Sequence, residues 1–105
     1  MREICLAKLD KTRPVLVLTR EAACGAMTKV TVAPITSTVK GLSSEVPLDE
    51  RNGVDHVCAV SLDNVVTIPS SLLGRTIGFL TPNQERELAI AVVLAHDLDI
   101  SVLGD

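Results

Sequence analysis

Arg13 and Thr36 are the two residues of this sequence whose side chains best suit chemistry on a phosphate. Arg13 begins the stretch Arg13-Pro14-Val15-Leu16-Val17-Leu18, and Thr36 ends the stretch Val32-Ala33-Pro34-Ile35-Thr36. A guanidinium binds phosphate through two parallel hydrogen bonds, and a hydroxyl adds another donor. Such a pair would stabilise the phosphorane formed when an RNA 2′-OH attacks its neighbouring phosphorus, without a metal or an enzyme nucleophile. The alternative is that Arg13 forms only a surface ion pair, as most exposed arginines do.

The remaining titratable residues offer weaker candidates. His56 directly precedes a predicted strand and is two residues from Cys58, so the two side chains could share a face, the minimum requirement for a Cys–His nucleophilic pair. A third orienting group is not evident, so a structural role is favoured for both. Asp63 is a candidate general base, although a polar residue at a bulge more often binds backbone N–H groups. His96 lies at the predicted end of a helix, where a surface or capping role is expected.

The motifs that mark other chemistries are absent from the sequence. It has no Gly-rich phosphate loop, no H-E-x-x-H, no G-x-S-x-G and no metal-spaced cluster, so neither a metal nor any other cofactor is expected. The three cysteines, Cys5, Cys24 and Cys58, are odd in number and lack C-x-x-C spacing, which indicates buried apolar side chains rather than a disulfide framework or a zinc site. The single aromatic residue, Phe79, argues against single-strand binding by base stacking.

Charge and hydropathy limit the class of protein. The net charge is −3, but residues 1–44 carry +4 and residues 45–105 carry −7, a distribution that allows a basic groove on an acidic protein. The mean hydropathy is +0.37, yet the longest apolar run, Leu88–Ala95, is too short to span a bilayer, and no signal peptide is evident. We therefore expect a cytoplasmic protein without membrane contact, whose surplus apolar surface is covered in a homodimer or by a partner.

Short apolar and alternating runs predict a mainly β fold. The expected strands are Arg2–Leu9, Pro14–Thr19, Thr28–Thr36, Glu45–Leu48, Val57–Leu62, Val65–Ile68 and Arg75–Leu80. Loops are expected at Glu21–Met27 and Ser37–Ser44, and a bulge or sharp turn at Asp63-Asn64. Pro69–Leu73 is expected to form a turn or one helical turn.

The last segment predicts one α-helix. Thr81 suits the N-cap and Pro82 the first helical position, and Gln84, three residues after Thr81, completes a capping box. The helix should continue to about Leu98. Because strands and helices do not alternate, we predict a single domain over residues 1–105, built as a small antiparallel β-barrel with a C-terminal α-helix.

The sequence resembles the MazF/PemK-like toxin endoribonucleases of bacterial type II toxin–antitoxin systems. The resemblance is carried by the Arg13 and Thr36 stretches quoted above and by Leu62-Asp63-Asn64-Val65-Val66-Thr67-Ile68. It implies a small SH3-like antiparallel β-barrel of the CcdB/PemK type, a homodimer, and sequence-specific, metal-independent cleavage of single-stranded RNA, usually messenger RNA. The expected products are a 2′,3′-cyclic or 3′-phosphate and a 5′-hydroxyl.

The resemblance also assigns roles to individual residues. Arg13 and Thr36 take the positions of the catalytic arginine and threonine of the family. The residues expected to bind RNA are Lys11, Thr12, Ser37, Thr38, Asp63 and Asn64. The implied antagonist is a MazE-like antitoxin whose extended segment blocks the RNA groove.

Two other functions remain open at this stage. The first is a non-catalytic, CcdB-like toxin on the same barrel that inhibits a protein target such as DNA gyrase, for which Arg13 is dispensable. The second is an interaction barrel without toxic activity, which agrees with the acidic composition and the near absence of aromatic residues.

Overall fold

The computed structural model describes residues 2–20 and 26–98, which contain seven β-strands and one α-helix. The strands are β1 (Glu3–Lys8), β2 (Thr12–Val17), β3 (Lys29–Thr36), β4 (Glu45–Leu48), β5 (Cys58–Ser61), β6 (Val66–Pro69) and β7 (Leu73–Phe79). The helix is α1 (Pro82–His96), and short 3-10 turns lie at Glu50–Asn52, Leu62–Asn64 and Ser70–Leu72.

The seven strands form one antiparallel sheet that curls into half of a barrel. The strand order is β4-β5-β3-β2-β1-β7, and β6 pairs with β3 outside this path. The first half of β3 pairs with β6, whereas its last two residues, Ile35 and Thr36, pair with β5. Pro34 lies between these two pairings. The predicted small antiparallel barrel with a C-terminal helix is therefore confirmed.

Strand boundaries differ from the predicted ones by at most two residues. The largest differences are in β2, which begins at Thr12 rather than Pro14, and in β7, which begins at Leu73 rather than Arg75. β2 begins earlier because Thr12 and Arg13 already pair with Lys8 and Ala7 across a tight turn. The predicted loop at Glu21–Met27 lies largely outside the described residues.

The predicted capping box at the start of α1 is confirmed. The Thr81 hydroxyl accepts a hydrogen bond from the Gln84 backbone N–H at 3.2 Å, and the Gln84 Oε1 accepts one from the Thr81 N–H at 2.9 Å. The helix ends at His96 rather than near Leu98, because Asp97 adopts a left-handed conformation with φ of 51°. An αL residue at this position terminates the helical hydrogen-bond ladder.

The sheet carries apolar clusters on both of its faces. The larger cluster joins Ile4, Leu16 and Ile35 of the sheet to Leu88 and Ala91 of α1. The smaller cluster consists of Ala7, Val15, Val30, Val32 and Ile68. Because Val15 and Leu16 face opposite clusters and both are fully buried, β2 is buried on both sides, as its continuous aliphatic run predicts.

A buried pair of amide side chains, Asn52 and Gln84, stabilises the segment that follows β4. The side chains of Asn52 and Gln84 are hydrogen-bonded to each other through both their amide groups, at 2.7 and 3.0 Å. Asn52 also donates to the Phe79 carbonyl, and Gln84 to the Pro47 carbonyl. A buried amide that lacks hydrogen bonds destabilises the folded protein, and these contacts supply the hydrogen bonds. The pair therefore links β4, the 3-10 turn, β7 and α1, and it fixes the chain just before residues 54–56.

Two of the three cysteines lie in the described part of the chain. Cys5 and Cys58 are buried and not in disulfides, in agreement with the predicted apolar role, while Cys24 lies outside the described residues. Within residues 2–20 and 26–98, α1 is the only α-helix, and it is too short and too polar to cross a membrane.

Candidate functional site

A cleft of about 870 Å³ opens where four segments of the barrel meet. Its walls are the β1–β2 turn, the end of β3, the segment that leads into β5, and the middle of β7. The predicted site residues in its lining are Lys11, Thr12, Arg13, Thr36, Ser37 and Thr38. Six of the eight residues predicted from sequence are therefore brought together in one place.

Strand register explains why Arg13 and Thr36 meet. β2 and β3 are antiparallel, with Val15 opposite Pro34. Continuing this register by two residues places Arg13 opposite Thr36, beyond the last paired residues. Residues two apart on a strand point to the same side. Both side chains therefore reach the cleft from the ends of buried, rigid strands.

The guanidinium of Arg13 is held by Asp10 at the β1–β2 turn. Arg13 Nε donates to Asp10 Oδ1 at 2.9 Å, and Arg13 Nη2 donates to Asp10 Oδ2 at 3.0 Å. This hydrogen bond from Arg13 is the main reason that the pKa of Asp10 is lowered to about 2, and the pKa of Arg13 is raised by the same contact. Neither bond uses Nη1, which leaves that nitrogen free to donate to a phosphate oxygen. The Arg13 side chain is 42% exposed, so a ligand can reach it.

The Thr36 hydroxyl is oriented by the backbone that follows β3. Its Oγ1 accepts a hydrogen bond from the Thr38 N–H at 3.0 Å. A hydroxyl has one donor and two acceptor positions, so this contact leaves the O–H free to donate. Lys11, Thr12, Ser37 and Thr38 are exposed around this pair. The cleft thus presents cationic and hydroxyl donors toward the same space.

Asp63 and Asn64 are the two predicted RNA-binding residues that do not line the cleft. They occupy the 3-10 turn between β5 and β6 and are exposed to solvent. The Asp63 carboxylate accepts a hydrogen bond from the Ser44 hydroxyl at 2.6 Å, and the Asn64 amide donates to the Ser61 hydroxyl at 2.8 Å. Both side chains therefore have local partners, and the predicted irregularity at this position is a 3-10 turn.

His56 lies in the cleft, but its ring contacts Asp55 rather than Cys58. His56 Nδ1 is hydrogen-bonded to Asp55 Oδ1, and both side chains are exposed. The Cys58 thiol is buried, and burial, with smaller contributions from Asp55 and Asp49, raises its pKa. A thiol that resists ionisation is a poor nucleophile, so the site does not support a Cys–His nucleophilic pair. Of the two histidines, His96 is exposed at the end of α1, away from the cleft.

Asp10 and Arg75 line the cleft but were not singled out from the sequence. Asp10 precedes Arg13 by three residues across a turn, and that spacing was the only available signal of their pairing. Arg75 was placed at the first position of a strand, whereas it lies inside β7 and lines the cleft. The preceding Gly74 was the signal, because a glycine inside a strand often marks a bulge. Among the described residues, no group of three His, Cys, Asp or Glu side chains is arranged to hold a metal ion.

Comparison with known families and proteins identifies clear relatives. Residues 3–96 match the family model described as PemK-like, MazF-like toxin of type II toxin–antitoxin systems. The chain is similar to Endoribonuclease MazF3 of Mycobacterium tuberculosis, with 56% identity over 99 residues, covering 94% of this chain and 96% of the relative. It is also similar to the probable endoribonuclease MazF5 of the same species, with 36% identity over 81% of this chain and 79% of the relative.

Solved structures give the same relationship. The structure of the Mycobacterium tuberculosis toxin MazF-mt6 aligns with a TM-score of 0.91 and 55% identity, covering 93% of this chain and 99% of the other. A mycobacterial endoribonuclease in complex with its cognate antitoxin aligns with a TM-score of 0.82 over 92% and 93% of the two chains. At 20% identity, the second match shows a shared fold.

Proposed function

The chain belongs to the PemK-like, MazF-like toxin family of type II toxin–antitoxin systems and is a toxin endoribonuclease; on this premise we propose that it cuts single-stranded RNA at specific sequences without a metal ion. The observation that carries the proposal is the placement of Arg13 and Thr36 in one cleft. The physiological substrate we infer is messenger RNA.

The proposed reaction is an internal transesterification of the RNA. The 2′-oxygen forms a bond to the adjacent phosphorus while the bond from phosphorus to the 5′-oxygen breaks. The 2′-OH loses its proton and the departing 5′-oxygen gains one, giving a 2′,3′-cyclic phosphate and a 5′-hydroxyl. Arg13 Nη1 and the Thr36 hydroxyl donate hydrogen bonds to the phosphoryl oxygens as negative charge develops there. Hydrolysis of the cyclic product would give the 3′-phosphate.

Substrate contacts are proposed for the remaining predicted residues. Lys11, Thr12, Ser37 and Thr38 surround the reacting pair and hold the strand in the cleft. Asp63 and Asn64 contact RNA that extends past the cleft toward the turn between β5 and β6. For proton transfer, Asp63 is the general base considered in the sequence analysis, but it does not line the cleft, whereas His56 does. An imidazole within the cleft is suited to general acid–base chemistry.

The proposed partners follow from family membership. We infer a homodimer in the cytoplasm, with residues 1–105 forming one toxin domain in each subunit. We also infer a cognate MazE-like antitoxin whose extended segment covers the cleft. Solved structures of MazE–MazF from Deinococcus radiodurans share this fold, with a TM-score of 0.76 for one crystal form.

The proposed function is tested with purified protein and a mixed-sequence RNA in the presence of EDTA. End mapping should locate the cut sites, and a copy with a single 2′-deoxy substitution on the 5′ side of a cut should resist cleavage at that position only. Arg13→Ala and Thr36→Ala should each lower the cleavage rate by two to three orders of magnitude, since losing one transition-state donor costs on the order of 3 kcal/mol.

Matched variants control for charge and for folding. Arg20→Ala removes an arginine outside the cleft, and Thr36→Ser keeps the hydroxyl, so both should cleave at close to the wild-type rate. Cleavage that survives Arg13→Ala and Thr36→Ala would contradict the proposed mechanism. Folded, antitoxin-free protein that cleaves no RNA would instead favour the CcdB-like alternative, in which the toxin inhibits a protein such as DNA gyrase.

A further inference from the structure

Arg75 contributes a second guanidinium to the cleft, on the opposite side of β1 from Arg13. It lies on β7, whereas Arg13 lies on β2, and β1 pairs with both strands. Neighbouring strands are about 4.8 Å apart, so the two arginines come from strands about 10 Å apart. Both side chains line the same space, so one strand of RNA in the cleft is able to contact both.

A β-bulge determines where the Arg75 side chain is presented. Cys5 of β1 pairs with Thr76 of β7, and Ala7 pairs with Leu73. One residue of β1, Leu6, is therefore opposite two residues of β7, Gly74 and Arg75. A bulge of this kind changes the direction of a side chain relative to a regular strand. Because Leu6 also lines the cleft, the extra residue places Arg75 at the cleft wall.

The charges of the cleft leave Arg75 available for a ligand. The charged side chains in its lining are Asp10, Lys11, Arg13, Asp55 and Arg75. The two carboxylates already have partners, since Asp10 binds Arg13 and Asp55 binds His56. Within residues 2–20 and 26–98, the exposed Arg75 side chain has no hydrogen bond or ion pair to another residue. Its positive charge is therefore not neutralised by the described part of the protein.

A guanidinium held on a strand binds phosphate differently from a lysine on a turn. It offers parallel donors in a fixed plane, whereas the ammonium of Lys11 lies at the end of a flexible chain. Resting on the proposed function, we propose that Arg75 binds the phosphate adjacent to the scissile phosphate on the same RNA strand. Arg75 thus sets the position of the strand, while Arg13 acts on the reacting phosphorus.

Binding is measured separately from cleavage by using RNA that cannot react. A short RNA containing a mapped cut site, with a 2′-deoxy residue on its 5′ side, is titrated with wild-type protein and with Arg75→Ala at several salt concentrations. Arg75→Ala should weaken binding about tenfold or more, as expected for a lost hydrogen bond to a charged group. The slope of log affinity against log salt should become shallower by about 0.7, the value for one phosphate contact on a single strand.

Replacing single phosphates with an uncharged analogue identifies the phosphate that Arg75 binds. Methylphosphonate is placed at each phosphate next to the cut in turn. At one of these positions it should weaken binding to the wild type and have little further effect on Arg75→Ala. Arg75→Lys, which keeps the charge but not the paired donors, should recover part of the affinity. With cleavable RNA, Arg75→Ala should raise KM and leave the rate at saturation close to the wild-type value.

Arg20→Ala is the matched control, because it removes the same charge from an exposed position outside the cleft. Equal losses in Arg20→Ala and Arg75→Ala, or no loss in Arg75→Ala, would overturn the phosphate contact. A relaxed cut sequence with an unchanged salt slope would also overturn it, because that result indicates a contact to a base. Wild-type protein that neither cleaves nor binds RNA would overturn the proposed function itself.

Discussion

At the scale of single residues, Asp10 sets the orientation of the Arg13 guanidinium. Two hydrogen bonds fix the plane of the guanidinium and leave Nη1 directed away from the carboxylate. The pair is exposed, so its contribution to folding stability is small. The pair matters for the functional site instead, because it holds a long and otherwise flexible side chain in one orientation before RNA binds.

Titration of Asp10 tests this contact. In the wild type, carboxyl NMR shifts should report a pKa of about 2 for Asp10, and Arg13→Ala should return the pKa toward the ordinary value of 3.8. Because the folded-state pKa is lowered, the stabilisation is present above about pH 4 and is lost as the pH falls toward 2. The pair should therefore be intact at every pH used for cleavage assays.

Asp49 provides the internal control for that titration. Its pKa is lowered by its own hydrogen bonds with Arg51, so it should not respond to Arg13→Ala. An Asp10 pKa that is the same in the wild type and in Arg13→Ala would show that the two side chains are not paired in solution.

At the scale of secondary-structure elements, two glycines allow the segment after β4 to pack closely against β7. A Cβ on Gly53 would lie 1.9 Å from the Ile77 carbonyl oxygen, and a Cβ on Gly78 would lie 1.8 Å from the Asn52 carbonyl oxygen. Neither position therefore has room for a side chain. This backbone contact, together with the Asn52–Gln84 pair, holds the segment whose next residues form one wall of the cleft.

Comparison of Gly53→Ala with Gly41→Ala separates close packing from backbone strain. Both glycines have positive φ, 82° and 72°, but a Cβ on Gly41 would meet no described atom within 4 Å. Gly41→Ala should lower the free energy of unfolding by about 1 kcal/mol, the cost of a left-handed alanine. Gly53→Ala should lower it by about 3 kcal/mol or more, because overpacking is added to the same strain. Urea unfolding measures both values, and equal losses would contradict the close contact.

The exposed face of α1 is the feature that concerns the molecule as a whole. Leu88 and Ala91 of α1 are buried, and Val92 and Ala95 pack against the larger cluster. Ile90 and Leu94 are 59% and 52% exposed in the single chain. Apolar residues four apart lie on one side of a helix, so these two form a continuous patch. Such a patch is typical of a surface that is covered in the assembled protein.

Charged substitutions in this patch test the inferred homodimer. Sedimentation equilibrium of the wild type should give the mass of a dimer, and the double variant Ile90→Glu, Leu94→Glu should give the mass of a monomer, because burying the carboxylates is unfavourable. Leu42→Glu introduces the same charge at an apolar residue that is 48% exposed in the segment between β3 and β4, and it should remain dimeric. A double variant that remains a dimer would place the subunit interface elsewhere.

Local sequence patterns determined the elements of this protein. Strand alternation and the Thr81–Gln84 capping box depend on neighbouring residues, so the strands were found to within two residues and the start of α1 was found at its N-cap. The end of α1 was not determined in the same way, because an aspartate such as Asp97 is compatible both with continuing a helix and with ending it in the left-handed region.

Tertiary structure alone decided how the site is assembled. The order of residues does not show that β3 changes partner from β6 to β5, or that a bulge in β7 directs Arg75 to the cleft. The order of residues also does not show that His56 lies in the cleft, whereas Asp63 lies outside it and binds Ser44. These outcomes depend on pairing between strands that are distant in the chain, and such pairing is set by the packing of the whole sheet rather than by local preference.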